Sequence, residues 1–260
     1  MLKRKMLIAV GAALLPVVFV PAASAQVTVY NNFGEDHDGW NYNWGLGWTV
    51  AGEDVPNQYG VEQAMGFTST AGGYVCDIWV AMWYVPNQPG YDEVTVRLAR
   101  NPDNLPPTPD DVMEEWVITD FESWHDWSPP HHLVGNGSSY LEEGASYWLW
   151  AIGGETTCCG WCMNEDPSLT CPHTLRREGE DWLPIGNETA SAFRVDVMPG
   201  EPCVGDLDGD GDTDQSDLGI LLTDWGCDDP VNGCAGDLNG DDKTDQADLG
   251  ILLGDWGCGT

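Results

Sequence analysis

Ten side chains near the end of the chain are spaced to hold cations. Asp206, Asp208, Asp210, Asp214 and Asp217 stand at positions 1, 3, 5, 9 and 12 of a twelve-residue loop. Asp237, Asn239, Asp241, Asp245 and Asp248 repeat that spacing 31 residues on. Acids at every second position of a tight loop turn inward together. Uncompensated, each close pair repels by ~1 kcal/mol in water and up to ~4 kcal/mol where partly desolvated. A hard divalent cation that takes about six to eight oxygens relieves this, and the donor set suits Ca²⁺. At position 7 the backbone carbonyls of Asp212 and Lys243 complete each set. Position 6 needs a sharp turn. Gly211 supplies it in the first loop, whereas Asp242 adopts it less readily in the second. With Asn239 replacing a carboxylate, the second site is expected to be the weaker of two calcium sites. Folding there should be coupled to metal binding.

Each loop must be held by the segment C-terminal to it. Residues 205–227 and 236–258 are identical at 18 of 23 aligned positions, so one unit is used twice. Leu218, Leu221, Leu222 and Trp225 recur at helical spacing, as do Leu249, Leu252, Leu253 and Trp256, predicting one apolar face per helix. Gly226 and Gly257 then stop the helices. Two short helices make too small a core to be stable alone, so metals and disulfides are expected staples. Cys203 and Cys227 flank the first unit, Cys234 and Cys258 the second. Pseudo-two-fold packing favours Cys203 with Cys258 and Cys227 with Cys234. The competing pairing closes each unit on itself, and spacing alone does not choose.

The rest of the chain reads differently. Lys3-Arg4-Lys5, an apolar run from Met6 to Val20 and Ala23-Ser24-Ala25 form a secretory signal over residues 1–25. Interrupted by Pro16, the run is short for a bilayer span, which needs about 20 residues. Export implies a secreted or cell-surface protein with no membrane span after signal removal, and an oxidising compartment. Residues 26–198 alternate short apolar runs with Gly, Pro and Asn clusters, which predicts an all-β sandwich. Val94–Arg100 alternates cleanly, whereas Tyr74–Val85 is apolar on both faces and is expected to be one central strand. A linker-like Met198–Pro202 stretch separates this from residues 199–260, the repeat. Cys76, Cys158, Cys159, Cys162 and Cys171 are expected to form bridges that staple the stretch near residues 158–171.

Charge bounds the partners. Nine Lys and Arg against 43 Asp and Glu give a net charge of −34, and three of the nine bases lie in the leader. A nucleic-acid partner is excluded, because phosphate binding needs a basic footprint. Fourteen tryptophans point instead toward neutral ligands. Trp40, Trp44, Trp124 and Trp127 lie in loop-like sequence and are candidates for stacking on sugar rings. Trp79, Trp116, Trp148 and Trp150 lie in strand-like runs and are expected to fill the core. A glycosidase needs two carboxylates roughly 5 to 10 Å apart. Glu114, Glu115, Glu122 and Asp126 are available, but nothing in the sequence pairs any two. No catalytic set is therefore assigned. His125, His131 and His132 are read as members of a surface loop.

The duplicated loop-helix pattern of residues 203–258 resembles a type I dockerin domain. That resemblance implies two bound Ca²⁺ ions, attachment to a cohesin-like module on an extracellular scaffold, and recognition through loop positions 10 and 11. Those positions are Gln215-Ser216 and Gln246-Ala247, where many family members carry Ser-Thr. Residues 26–198 resemble, through short motifs such as Val29–Gly34, Gln63–Thr68 and Tyr147–Trp150, the choice-of-anchor β-sandwich domains of exported bacterial proteins. This implies a jelly-roll-like sandwich followed by an anchoring module. The functional expectation is a calcium-binding, scaffold-attached sandwich with carbohydrate as its candidate ligand. The alternative is a dockerin-tethered hydrolase of O-glycosyl bonds in polysaccharide breakdown.

Overall fold

The computed structural model describes residues 25–33, 42–56, 60–84, 93–101, 105–119, 129–200, 202–230 and 233–259. Residues 1–24 of the expected leader, Trp40, Trp124, Trp127, His125, Glu122, Asp126 and the side chain of Trp44 lie outside the described residues.

Among the described residues, fourteen strands come first. They run β1 (Val27–Asn31), β2 (Tyr42–Ala51), β3 (Val61–Thr68), β4 (Gly73–Val80) and β5 (Met82–Tyr84). Next come β6 (Val94–Arg100), β7 (Val112–Ile118), β8 (His131–Val134), β9 (Tyr140–Leu141) and β10 (Ser146–Gly153). The last are β11 (Cys158–Asn164), β12 (Thr170–Arg177), β13 (Leu183–Thr189) and β14 (Phe193–Met198). Two short helices close the chain, α1 (Gln215–Thr223) and α2 (Gln246–Gly254). The protein is thus mostly β, as its punctuated apolar runs imply. No helix among the described residues is long and apolar enough to cross a membrane.

The strands form two antiparallel sheets. One has five strands ordered β1-β14-β4-β8, with β9 beside β4. The other has nine, ordered β5-β11-β2-β3-β10-β6-β7, with β12 joining β3 to β13. Val29, Ile78 and Val195 from the first sheet meet Met65, Leu98, Leu149 and Trp161 from the second in one buried cluster. Strand side chains alternate between faces, so each sheet turns one row inward.

Two sequence expectations need correction. The Tyr74–Val85 run is not one strand. Its described part divides into β4 and β5, which belong to different sheets, with the turn-over at Ala81. The chain crosses between layers there, so both ends of the run are apolar for different reasons. The tryptophans of β10 are buried as expected, on the face away from the main core, whereas Trp79 and Trp116 are not fully buried. Tyr147, Leu149 and Ala151 enter the main core, whereas Trp148 and Trp150 point to the other face and form a second buried cluster with Ala64 and Ala99. Trp150 is fully buried there because Arg97 and Arg176 lie over its ring at 4.8 and 5.4 Å, and Trp182 meets it edge-on at 5.5 Å. Trp116 is only partly buried, against the main core, and Trp79 only partly buried, against a smaller cluster that includes Phe33 and Ala81.

Candidate metal centre

Both acidic loops close on their own amides. Asp206 accepts Gly209 N–H at 2.7 Å and Asp210 N–H through one oxygen, and Gly211 N–H at 3.0 Å through the other. Asp237 does the same with Gly240, Asp241 and Asp242. Asp208 and Asn239 each accept the amide two residues on, from Asp210 and Asp241. These short acceptor–amide bonds are what Asp and Asn favour in turns. They curl each loop on itself, and in the first loop the carboxylates of Asp206, Asp208 and Asp210 come together. Positive φ occurs where the turn needs it, at Gly211 (96°) and Asp242 (66°).

Position 12 locks loop to helix. Asp217 accepts Leu207 N–H at 2.7 Å and Asp208 N–H on one oxygen, and Asp214 N–H at 2.7 Å on the other. Asp248 makes the matching bonds to Leu238, Asn239 and Asp245. Both carboxylates are fully buried. Asp214 and Asp245 cap α1 and α2 by accepting the amides of Ser216 and Ala247. The acids at positions 9 and 12 thus start the helices as well as facing the loops.

The donor chemistry fits a hard cation. The carboxylates of Asp206, Asp208 and Asp210 lie within 4.8 Å of one another, as do those of Asp212, Asp214 and Asp217. One Asp212 oxygen is buried without a hydrogen-bond partner. Partial desolvation, and then the neighbouring acids, hold Asp208 and Asp212 above the ordinary carboxylate range. Desolvation also pushes Asp237 up, but its loop amides outweigh this and hold it below that range. In the second loop Asn239 Nδ2 donates to Asp241 at 3.2 Å, and Lys243 at position 7 pairs outward with Asp228. The first loop is the more acidic and the less internally neutralised.

The two units interlock. Asp255, at the end of α2, accepts Gly205 N–H and the Thr213 hydroxyl from the first loop. Asp224, at the end of α1, accepts Gly236 N–H and the Thr244 hydroxyl from the second. Backbone bonds join Thr213 to Gly257 and Cys258, and Thr244 to Gly226 and Cys227. Disulfides Cys203–Cys258 and Cys227–Cys234 complete the pseudo-two-fold arrangement. Sequence reasoning passed over Asp224, Asp255, Thr213 and Thr244. Their signal was present, since all four are polar, lie outside the ligand positions and are identical between repeats.

The helices bury less than their periodicity predicts. Leu221 and Leu252 are fully buried, and Leu218 and Leu249 are half-buried. Leu222 (54%), Trp225 (47%), Leu253 (54%) and Trp256 (46%) stay exposed. Two nine-residue helices meet along a narrow seam that takes one leucine from each. Gln215, Ser216, Gln246 and Ala247 are exposed on the first turns.

The other candidates do not converge. Glu114 is buried and accepts Asn136 N–H at 2.6 Å, and burial holds its carboxyl above the usual range. Glu115 points to the opposite face and pairs with Arg97 at 2.6 Å. Adjacent strand residues face apart, so these two do not form a catalytic pair. His131 and His132 belong to β8, not to a loop. His132 pairs with Asp77 and stacks on Trp79 at 4.0 Å. Cys76, Cys158, Cys159, Cys162 and Cys171 are free thiols. Cys158, Cys159 and Cys162 sit along one strand and enter three separate clusters, so the expected staples near residues 158–171 are not formed. Compared with known proteins, the chain matches no family model and no curated sequence.

Proposed function

We propose that this is an exported calcium-binding protein whose dockerin-like C-terminal module attaches a β-sandwich to an extracellular scaffold or surface. Carbohydrate is the favoured ligand class of the sandwich. The observation that carries the reading is the convergence of Asp206, Asp208 and Asp210 within 4.8 Å in a loop closed by buried Asp217. A second loop repeats its hydrogen bonds residue for residue.

Asp206, Asp208, Asp210, Asp214, Asp217 and the Asp212 carbonyl would hold one ion. Asp237, Asn239, Asp241, Asp245, Asp248 and the Lys243 carbonyl would hold the other. Calcium, when bound, supplies positive charge that offsets the crowded carboxylates. Asp217 and Asp248 transmit loop order to the helix starts through the amides they hold. A partner face is supported by exposed Gln215 and Leu222, seven residues apart on α1, and their counterparts Gln246 and Leu253 on α2.

Calorimetric titration of the full mature chain with Ca²⁺ tests the metal reading. Two ions are expected, the tighter in the first loop, abolished singly by Asp217→Ala and Asp248→Ala. No heat and no change in helix content across millimolar Ca²⁺ would refute it. The loaded chain is then passed over immobilised cohesin modules and over a polysaccharide panel, with reducing ends followed in parallel. Calcium-dependent retention supports the attachment role. Depletion of sugar without product supports a binding sandwich, whereas new reducing ends would replace that half of the reading with a hydrolase.

A further inference from the structure

Five positions separate the units: Asp208/Asn239, Gly211/Asp242, Asp212/Lys243, Ser216/Ala247 and Thr223/Gly254. One of them, at loop position 6, marks the place where the first loop meets the sandwich.

A Cβ on Gly211 would stand 2.5 Å from the Gly137 carbonyl oxygen and 2.8 Å from the Ser138 Cα. These neighbours are backbone and cannot swing aside. The other side of the Gly211 peptide is closed by Gly259, whose own Cβ would lie 2.1 Å from the Gly211 carbonyl oxygen. In the second loop Asp242 occupies the same position, with its side chain exposed. Such a loop thus accepts Asp at position 6 with φ at 66°, whereas Gly211, at φ 96°, also has sandwich backbone against it.

The sandwich presents a rigid seat there. Asn136 N–H is held by buried Glu114 at 2.6 Å, and Asn136 Oδ1 accepts Ser138 N–H at 2.8 Å. Val75 N–H donates to the Ser139 carbonyl at 2.8 Å. A second tie lies beside the linker, where Cys203 N–H donates to the Tyr74 hydroxyl at 3.0 Å. On the loop side, Gly211 N–H donates to Asp206 Oδ2, an oxygen of the proposed calcium set. The peptide that touches the sandwich is thus held by a carboxylate that crowds against Asp208 and Asp210.

We infer that the first loop is also the seat joining the two halves of the molecule, so that calcium in this loop, and not in the second, fixes the sandwich against the repeat. The inference rests on the calcium reading above and assigns the two sites different work. Without the ion, repulsion among Asp206, Asp208 and Asp210 loosens the Gly211 peptide and the seat opens.

The test is a position-6 exchange in the full mature chain. Small-angle scattering gives the dimensions of wild type, Gly211→Asp, Asp242→Gly and Tyr74→Phe, each with Ca²⁺ and with chelator, and calorimetry counts bound ions. Wild type with Ca²⁺ should be compact and expand with chelator, by on the order of 10% in radius of gyration. Gly211→Asp should still bind two ions, as the second loop manages with Asp, yet stay expanded in Ca²⁺. Asp242→Gly should behave as wild type. Tyr74→Phe, which leaves both loops untouched, should expand at a lower chelator concentration. A Gly211→Asp protein as compact as wild type, or an Asp242→Gly protein equally expanded, overturns the seat. If wild type binds no calcium but Gly211→Asp still expands, the seat stands, while its control by calcium and the metal reading both fall.

Discussion

Asp255 accepts the Thr213 hydroxyl at 2.9 Å across the boundary between the repeats, and Asp224 accepts that of Thr244 at 2.7 Å. Each helix end thereby holds the other unit's loop at position 8. Thr213 is fully buried, so its hydroxyl has no water to fall back on. Thr213→Val should lower stability by about 1 to 2 kcal/mol, because the shape is kept but a charged acceptor loses its donor. Combined with Asp255→Asn, the loss should be less than additive, as the pair shares one bond. Urea unfolding in Ca²⁺ measures this, and full additivity would mean that the contact carries no energy. Thr244 and Gly236 hold the Asp224 carboxyl below the ordinary carboxylate range. A depressed carboxylate stabilises above its unfolded pKa and is lost as pH falls through the folded value. The interlock should therefore weaken only below about pH 4.

The disulfides should differ in weight. Cys203–Cys258 spans 55 residues and Cys227–Cys234 spans 7. Loop-closure entropy assigns them roughly 4 and 2 kcal/mol. Replacing the Cys203/Cys258 pair by serine should cost the C-terminal unit more than replacing Cys227/Cys234. Non-reducing peptide mapping should recover these two bridges, and five thiols should react after denaturation, matching the five free cysteines. Fewer reactive thiols would mean that sandwich cysteines pair after all.

The loops were legible in sequence because their geometry is local. Acids at fixed spacing, position 6 and the helix starts all lie within a dozen residues, and duplication doubled the signal. Helix existence was legible for the same reason. Which leucines are buried was not, since that depends on how little surface two nine-residue helices share. In the sandwich, Trp148 and Trp150 read as core residues, but their place on the outer face of β10, where Arg97 and Arg176 cover Trp150, depends on strands distant in sequence. The crossing at Ala81 was hidden because a run serving two sheets looks like one strand apolar on both sides. The mismatch of Gly211 with Asp242 was visible as a weaker turn in the second loop. Its other meaning needed the position of Gly137, 74 residues earlier in the chain.

Buried and exposed tryptophans should separate cleanly on substitution. Trp150 is enclosed by Arg97, Arg176 and Trp182, and its indole N–H donates to Glu62 at 2.8 Å. Trp150→Ala should cost about 3 to 5 kcal/mol, since a large cavity opens and a polar partner is stranded. Trp225→Ala and Trp256→Ala should each change stability by less than about 0.5 kcal/mol. Thermal unfolding checks the contrast. If Trp225→Ala unfolds the C-terminal unit, its exposed face is structural and not available to a partner.

The sandwich should lose stability in mild acid through His173. This ring is buried between β12 and β3, with Nε2 2.7 Å from Gln63 Oε1, Trp48 4.3 Å away and Nδ1 without a partner. Burial lowers its pKa to about 4 from the ordinary 6.5. The native state keeps the ring neutral, while the unfolded chain takes up a proton as pH falls through 6.5. Between pH 6.5 and about 4 the unfolded state thus binds more protons, so stability falls with falling pH and levels off below that window. The whole effect is on the order of 3 kcal/mol. His173→Gln keeps a donor toward Gln63 but removes the titration, so its unfolding free energy should lack this slope even if the variant is less stable at pH 7. Denaturant melts of both proteins at pH 7.5, 6, 5 and 4 decide it. Parallel curves would show that His173 is not the group responsible.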